Sequence, residues 1–168
     1  MKRQSERDRE FTEFVTARRG ALTRMATLLL TGDAAQAEDA VQTALTRLYL
    51  AWPRIRPETV NAYARRCVVN AVIDDRRSLF RRRERVRAEL PDAPAAGVPD
   101  GDLSALVALL AALPARMRAA VVLRYVDGLT VAETAVVLQC SEGTVKSQSA
   151  RGLERLREAH PAYSHDCV

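Results

Sequence analysis

Apolar residues recur at intervals of three and four along most of the chain and nowhere alternate one by one, so helices rather than strands are predicted throughout. In TGDAAQAEDAVQTALTRLYLAW (31–52), Val41, Leu45, Leu48 and Trp52 follow an i, i+4, i+7, i+11 stripe. Asp33 is placed to cap that helix, with Gln36 three residues on to answer it, and Pro53 ends it. Upstream, Phe11, Phe14, Val15, Leu22, Met25, Leu28 and Leu29 supply more core, with an interruption expected at Gly20. After the loop WPRIRPET, a helix is predicted over 60–79, burying Val60, Ala64, Cys67, Val68 and Ala71. Arg66, Asn70 and Arg77 stack on a second face of it.

A change of text separates this block from the next. Residues 89–102, ELPDAPAAGVPDGD, gather Pro, Gly, Asp and Ala without helical period and read as a linker. Beyond it, a helix from Leu103 to Leu113 stops at Pro114, and PARMRAAVVLRYVD runs on to a stop at Gly128. Thr130 and Glu133 form a capping box, and Ser141 caps the following helix with Thr144 in its first turn. Ala135 is small where two helices must approach closely, and Leu138, Cys140 and Val145 fill the space between them. That spacing predicts a helix-turn-helix. The expected fold class is all-α: two small helical domains, residues 8–80 and 103–160, joined by a flexible linker at 81–102.

The last helix, GTVKSQSARGLERLRE (143–158), divides its faces unusually. Val145, Ser149, Gly152, Leu153 and Leu156 form the packing stripe, while Lys146, Ser147 and Ala150 occupy the outer face. Small residues and one lysine there, flanked by Arg151 and Arg155, suit a major groove that long side chains would clog. A net charge of +5 and a pI near 9.6 agree with a polyanionic partner. The Arg-rich run RRSLFRRRERVR (76–87) reads either as a solvated, salt-laced helix or as a phosphate-tracking surface. Asn70 alone reads first as an ordinary solvated helix residue.

Three cysteines, Cys67, Cys140 and Cys167, give an odd count without metal-ligand spacing, which argues against a disulfide framework and for a reducing cytoplasm. The N-terminus lacks the apolar core of a signal peptide, and no apolar run approaches the ~20 residues of a membrane span. An enzyme, such as a nuclease, would need a cluster of carboxylates or of His and Cys at ligand spacing. None is present; His160 and His165 fall in HPAYSHDC, which reads as a disordered tail before it reads as a metal site. Neither a cofactor nor a small-molecule substrate is expected.

With both blocks read, the chain resembles bacterial RNA polymerase sigma factors of the extracytoplasmic-function class, in the SigE-like group, from about Phe11 to Arg157. GDAAQAEDAVQ…LYLAW resembles the part of the second sigma region that binds the clamp coiled coil of the polymerase β′ subunit. AYARRCVVNAVIDDRR resembles the part that reads the minus-ten promoter element. LPARMRAAVVLRYVDGLTVAETAVVLQCSEGTVKSQSARGLERLR resembles the fourth region, which reads the minus-thirty-five element and meets the β flap.

The resemblance implies polymerase contacts at Asp39 and Gln42, with Glu38 and Tyr49 beside them. It implies minus-ten contacts at Asn70 and Asp74, joined by Arg66 and Arg77, with Arg54–Asn61 as the loop that captures a flipped base. In the recognition helix it implies base contacts at Lys146 and Ser147 and phosphate contacts at Thr144 and Arg151, with Arg155 on the flank. The class also implies an anti-sigma partner that clamps both domains, and an acidic linker (Asp92, Asp100, Asp102) threading the RNA-exit path. Three positions depart from the family pattern: Thr43 stands where an acid is common, Gln139 where Gly is usual, and Gln148 where an arginine is common. Gln139 must therefore turn left-handed or reshape the turn. A one-component regulator using the helix-turn-helix alone leaves the AEDAVQ block unexplained. A decoy that binds polymerase without promoter activity remains open on sequence.

Overall fold

The structure is a computed structural model that describes residues 2–86 and 101–160, with side chains for 3–74, 101 and 103–160. The linker's Pro-rich stretch, its acids Asp92 and Asp100 and the tail residues His165 and Cys167 lie outside the described residues, as does the side chain of Asp102. No strand occurs among the described residues, as the periodicity predicts.

The first domain is three helices: α1 (Lys2–Leu29), α2 (Ala34–Ala51) and α3 (Val60–Val86). α1 runs unbroken through Gly20, contrary to the expected interruption. One exposed glycine costs a helix only about 1 kcal/mol, and the packed residues on both sides hold the register. α2 starts as expected, its first turn closed by Asp33 Oδ1 accepting from the Gln36 amide at 2.9 Å. Its stripe of Val41, Leu45 and Leu48 is buried against α1 and α3, and Trp52 and Pro53 turn the chain through a short 3₁₀ segment. α3 continues to Val86, seven residues past the predicted 79. The four Arg and one Glu of that stretch are strong helix formers, and no Pro or Gly interrupts them.

The turn between α1 and α2 is unusual. The Gly32 amide bonds back to the Thr27 carbonyl (2.9 Å) and the Thr31 amide to Leu28 (3.3 Å), the paired bonds of a Schellman motif. Thr31 therefore holds the left-handed position at φ 57°, a strained place for a β-branched residue, and Gly32 follows at φ 93°.

The second domain comprises α4 (Gly101–Ala111), α5 (Ala115–Val121), α6 (Val131–Leu138) and α7 (Glu142–Ala159). The predicted helix through Asp127 instead widens after Val121 into a π-type turn, where the Asp127 amide bonds to the Val122 carbonyl at 3.0 Å. Gly128 then breaks the chain at φ 70°.

The two domains are packed together. Their buried apolar residues form one connected cluster reaching from Leu22 to Val137. Buried Arg118 of α5 donates to Leu110 (Nε, 2.9 Å) and Leu113 (Nη2, 2.7 Å) in its own domain and to Leu29 (Nη1, 2.8 Å) in the first. Leu29 lies in the last turn of α1, where the Schellman bonds take the carbonyls of Thr27 and Leu28 but not its own. Nearby, Arg65 of α3 pairs with Asp127 at 3.0 Å, both largely shielded from solvent.

Candidate nucleic-acid interface

The helix-turn-helix is assembled from local signals. Thr130 and Glu133 make the full capping box: the Thr130 amide donates to Glu133 Oε2 (2.7 Å) and the Glu133 amide to Thr130 Oγ1 (3.1 Å). Those hydrogen bonds hold the Glu133 carboxyl below its ordinary range, the backbone bond from Thr130 being the larger cause. α6 then ends on Gln139 at φ 53°. The left-handed alternative is thus realised, at the steric cost any non-glycine residue meets there. Ser141 Oγ accepts from the Thr144 amide at 3.1 Å and starts α7.

α7 presents the two faces read from its sequence. Val145, Ser149 and Gly152 are buried, with Leu153 and Leu156 partly so. A Cβ at Gly152 would come within 2.6 Å of Val121 Cγ2, so only glycine lets α7 cross α5 this closely. Lys146, Ser147, Ala150, Arg151 and Arg155 are all exposed. Ser147 Oγ donates back to the Thr144 carbonyl at 3.1 Å, which keeps its side chain low on the helix. Lys146 and the two arginines therefore stand as cationic donors around a shallow surface.

On the first domain, α3 carries Asn70 half-buried and Asp74 exposed. Asp74 is engaged by Arg47 of α2 at 3.2 Å, and the Arg66 guanidinium lies over the Tyr63 ring at 4.9 Å. The side chain of Arg77 lies outside the described residues. The outer face of α2 exposes Asp39, Gln42 and Thr43, and further along Leu50, 73% exposed. Glu38 is bonded by Arg19 of α1. The Tyr49 hydroxyl donates to Asp8 Oδ1 (2.8 Å), its ring meets Phe11 edge-on at 5.0 Å, and Arg7 lies over it at 4.8 Å. Both residues thus also tie α2 to α1.

Asn70 and Asp74 do not open onto free solvent alone. They share the wall of a cavity of about 980 Å³ with Gln139, Cys140, Thr144 and Gln148 of the second domain. The sequence reading named no residue for this apposition. Arg47, Arg65, Arg118 and Asp127 carry it or its surroundings, and the sequence signal was slight: Arg118 stands immediately before the apolar stretch AAVVL.

Among the described residues, no group of three His, Cys, Asp or Glu is gathered to hold a metal ion, and no helix is long and apolar enough to cross a membrane. Cys67 is buried, and burial pushes its thiol pKa up, so it stays protonated.

The family description "Sigma-70 region 2" matches residues 14–85 and "Sigma-70, region 4" matches residues 103–156. The RNA polymerase sigma-E factor of Streptomyces coelicolor is 39% identical over 153 residues, covering 89% of this chain and 85% of the relative. The ECF RNA polymerase sigma factor SigL of Mycobacterium tuberculosis is 37% identical over 142 residues, covering 77% of each. In fold, the chain is similar to the sigma factor RpoE of Bartonella quintana, solved with the anti-sigma factor NepR: TM-score 0.80, 22% identity, covering 92% of this chain and 98% of that one. It is also similar to CnrH, solved with the cytosolic domain of CnrY: TM-score 0.68, 23% identity, covering 94% and 91%. Two sigma regions in order on one all-helical chain, with relatives alike over nearly its whole length, carry the conclusion: the chain belongs to the extracytoplasmic-function sigma factors of the sigma-70 family, which bind core RNA polymerase and direct it to promoters to initiate transcription.

Proposed function

We propose that α7 reads the minus-thirty-five element through Lys146 and Ser147, with Thr144, Arg151 and Arg155 on phosphates. In the same reading the α3 face of Arg66, Asn70, Asp74 and Arg77 holds the minus-ten strand, and Arg54–Asn61 captures a base. The outer face of α2, with Asp39 and Gln42 at its centre and Glu38 and Tyr49 at its margin, docks on the β′ clamp coiled coil. The second domain also meets the β flap. The protein acts in the cytoplasm by recruitment and has no chemistry of its own to perform. An anti-sigma protein is a further partner, since the sigma factor RpoE, similar in fold, was solved with one.

The observation that carries the reading is the sorting of α7. Its bulky apolar residues turn inward, while its outward face holds one lysine among small side chains with arginines at the rim. A groove about 12 Å wide admits such a helix, and flanking guanidinium groups then reach the phosphates.

The test is run-off transcription with core polymerase on promoters selected from genomic DNA. Asn70→Ala should reduce permanganate-reactive strand opening more than closed-complex binding. Gln42→Ala should weaken binding to core polymerase and leave the affinity of the isolated protein for DNA unchanged. Normal opening by the first variant, or unchanged core affinity in the second, removes the corresponding assignment.

A further inference from the structure

We propose that the end of α3 is a rail for duplex DNA: Arg81 and Arg85 follow the backbone phosphates of the paired DNA immediately upstream of the minus-ten element. The proposal rests on the assignment of Asn70 and its face to the minus-ten strand.

The excess charge of the chain is gathered there. Residues 76–86 hold six arginines and one glutamate, an excess of +5. The whole chain, with 26 Lys and Arg against 21 Asp and Glu, also has an excess of +5, so the remainder is balanced. Solvation alone does not account for such a helix. In α1 the exposed charges alternate in sign, Arg9 pairing with Glu6 at 2.6 Å and with Glu13 at 3.7 Å. In α3, Arg77, Arg81 and Arg85 succeed one another four residues apart, and like charges at that spacing destabilise a helix. A polyanion laid along the stripe removes that repulsion and releases its own counterions.

Register decides which polyanion. Asn70, Asp74, Arg77, Arg81 and Arg85 lie four, three, four and four residues apart, so they share one stripe of α3. Asp74 does not interrupt it, because Arg47 holds its carboxylate at 3.2 Å. At 1.5 Å per residue, Arg81 and Arg85 lie about 16 and 22 Å beyond Asn70 along the axis, the length of about five to seven base pairs. The segment 54–61, proposed to capture a base, precedes α3, and a captured base is unpaired. The helix leads away from that edge of the melted strand onto DNA that is still paired. A duplex offers about one negative charge per 1.7 Å of its axis, against about one per 3.4 Å for each strand. Phosphates carry no sequence, so the rail adds grip without narrowing the choice of promoter.

The test uses holoenzyme assembled from core polymerase and the full chain, on two fork templates without a minus-thirty-five element. Both present the minus-ten strand unpaired; one ends at its upstream edge and the other continues as duplex for about ten base pairs. Arg81→Ala with Arg85→Ala should lower the slope of log affinity against log salt by about two on the longer template, at about 0.9 per phosphate, and leave the slope on the shorter one in place. Arg81→Lys with Arg85→Lys keeps both charges and should restore the slope. Alanine is a stronger helix former than arginine, so a melted helix does not explain the loss. The loss should also be the same whatever the base sequence of the added duplex. An equal change of slope on both templates, no change on either, or a deficit that follows base sequence and that lysine does not repair overturns the rail. If the unmodified holoenzyme does not prefer the minus-ten strand to a scrambled one, the assignment of α3 falls, and the rail with it.

Discussion

Gly152 of α7 and Val121 of α5 stand so close that a methyl group at Gly152 would lie 2.6 Å from Val121 Cγ2. The recognition helix is therefore seated on α5 at its nearest approach by the absence of a side chain. Gly152→Ala gains about 1 kcal/mol of helix propensity but overpacks the crossing, at about 1–3 kcal/mol. The expected net is a loss of about 1 kcal/mol, with Gly20→Ala as the opposite case. Gly20 has nothing within 4 Å of its added Cβ, so that change should stabilise by about 0.5–1 kcal/mol. Thermal unfolding of the two variants should move in opposite directions; a shared direction contradicts the packing described.

Gln139→Gly should stabilise the helix-turn-helix. Its φ of 53° costs a non-glycine residue about 1–2 kcal/mol, and glycine returns part of that gain as unfolded-chain entropy. The expected balance is about 0.5–1 kcal/mol in urea unfolding, with affinity for minus-thirty-five duplexes unchanged. Destabilisation by the glycine would mean the Gln139 side chain carries contacts that outweigh its backbone strain.

Lys146 and Arg151 should fail differently. Lys146 stands on the outer face, and losing a base contact costs about 1–3 kcal/mol at one position, so Lys146→Ala should relax a single base preference. Arg151 is on the flank, and Arg151→Ala should weaken all sequences alike and reduce the salt slope of binding by about one. A panel of promoter variants measured at several salt concentrations separates the two behaviours. Uniform loss in both variants would remove α7 from the groove.

Acid should loosen the second domain through Glu133. Its carboxyl is held below the ordinary 4.5 by the Thr130 hydrogen bonds, so the folded form binds that proton more weakly than the unfolded form does. The contribution is present above pH about 4.5 and fades as pH falls through the lowered folded value. Glu133→Gln should flatten that part of the stability-against-pH curve and, lacking the ionised carboxylate, lower stability at neutral pH by the same contribution. An unaltered acid limb in the variant would place the dependence elsewhere.

What could be read from the sequence was what is local. Asp33, Ser141 and the pair Thr130 and Glu133 satisfy helix ends within three residues, so their pattern in the text is the interaction itself. The sorting of α7 was legible for the same reason, since helical period alone assigns Val145 and Lys146 to different faces. The docking of the domains was not. Arg65 and Asp127 lie 62 residues apart and Arg118 reaches across 89 to Leu29, and no spacing rule links such positions. The strain at Thr31 was equally hidden, because an ordinary threonine gives no sign that a Schellman turn will hold it left-handed. α1's passage through Gly20 shows the converse: a local break signal overruled by packing on either side.

The acceptor that Arg118 finds in the first domain is a backbone carbonyl, and this makes the contact one-sided under mutation. Whatever side chain stands at position 29, the oxygen remains, so drift in the first domain cannot delete that bond except by unwinding the end of α1. On the other side, a lysine at 118 would bring one compact ammonium to three carbonyls that a planar fork now spans, and could not serve all three in place. Variation that tunes how tightly the domains hold each other should therefore gather at Asp127 and Arg65, around a fixed arginine.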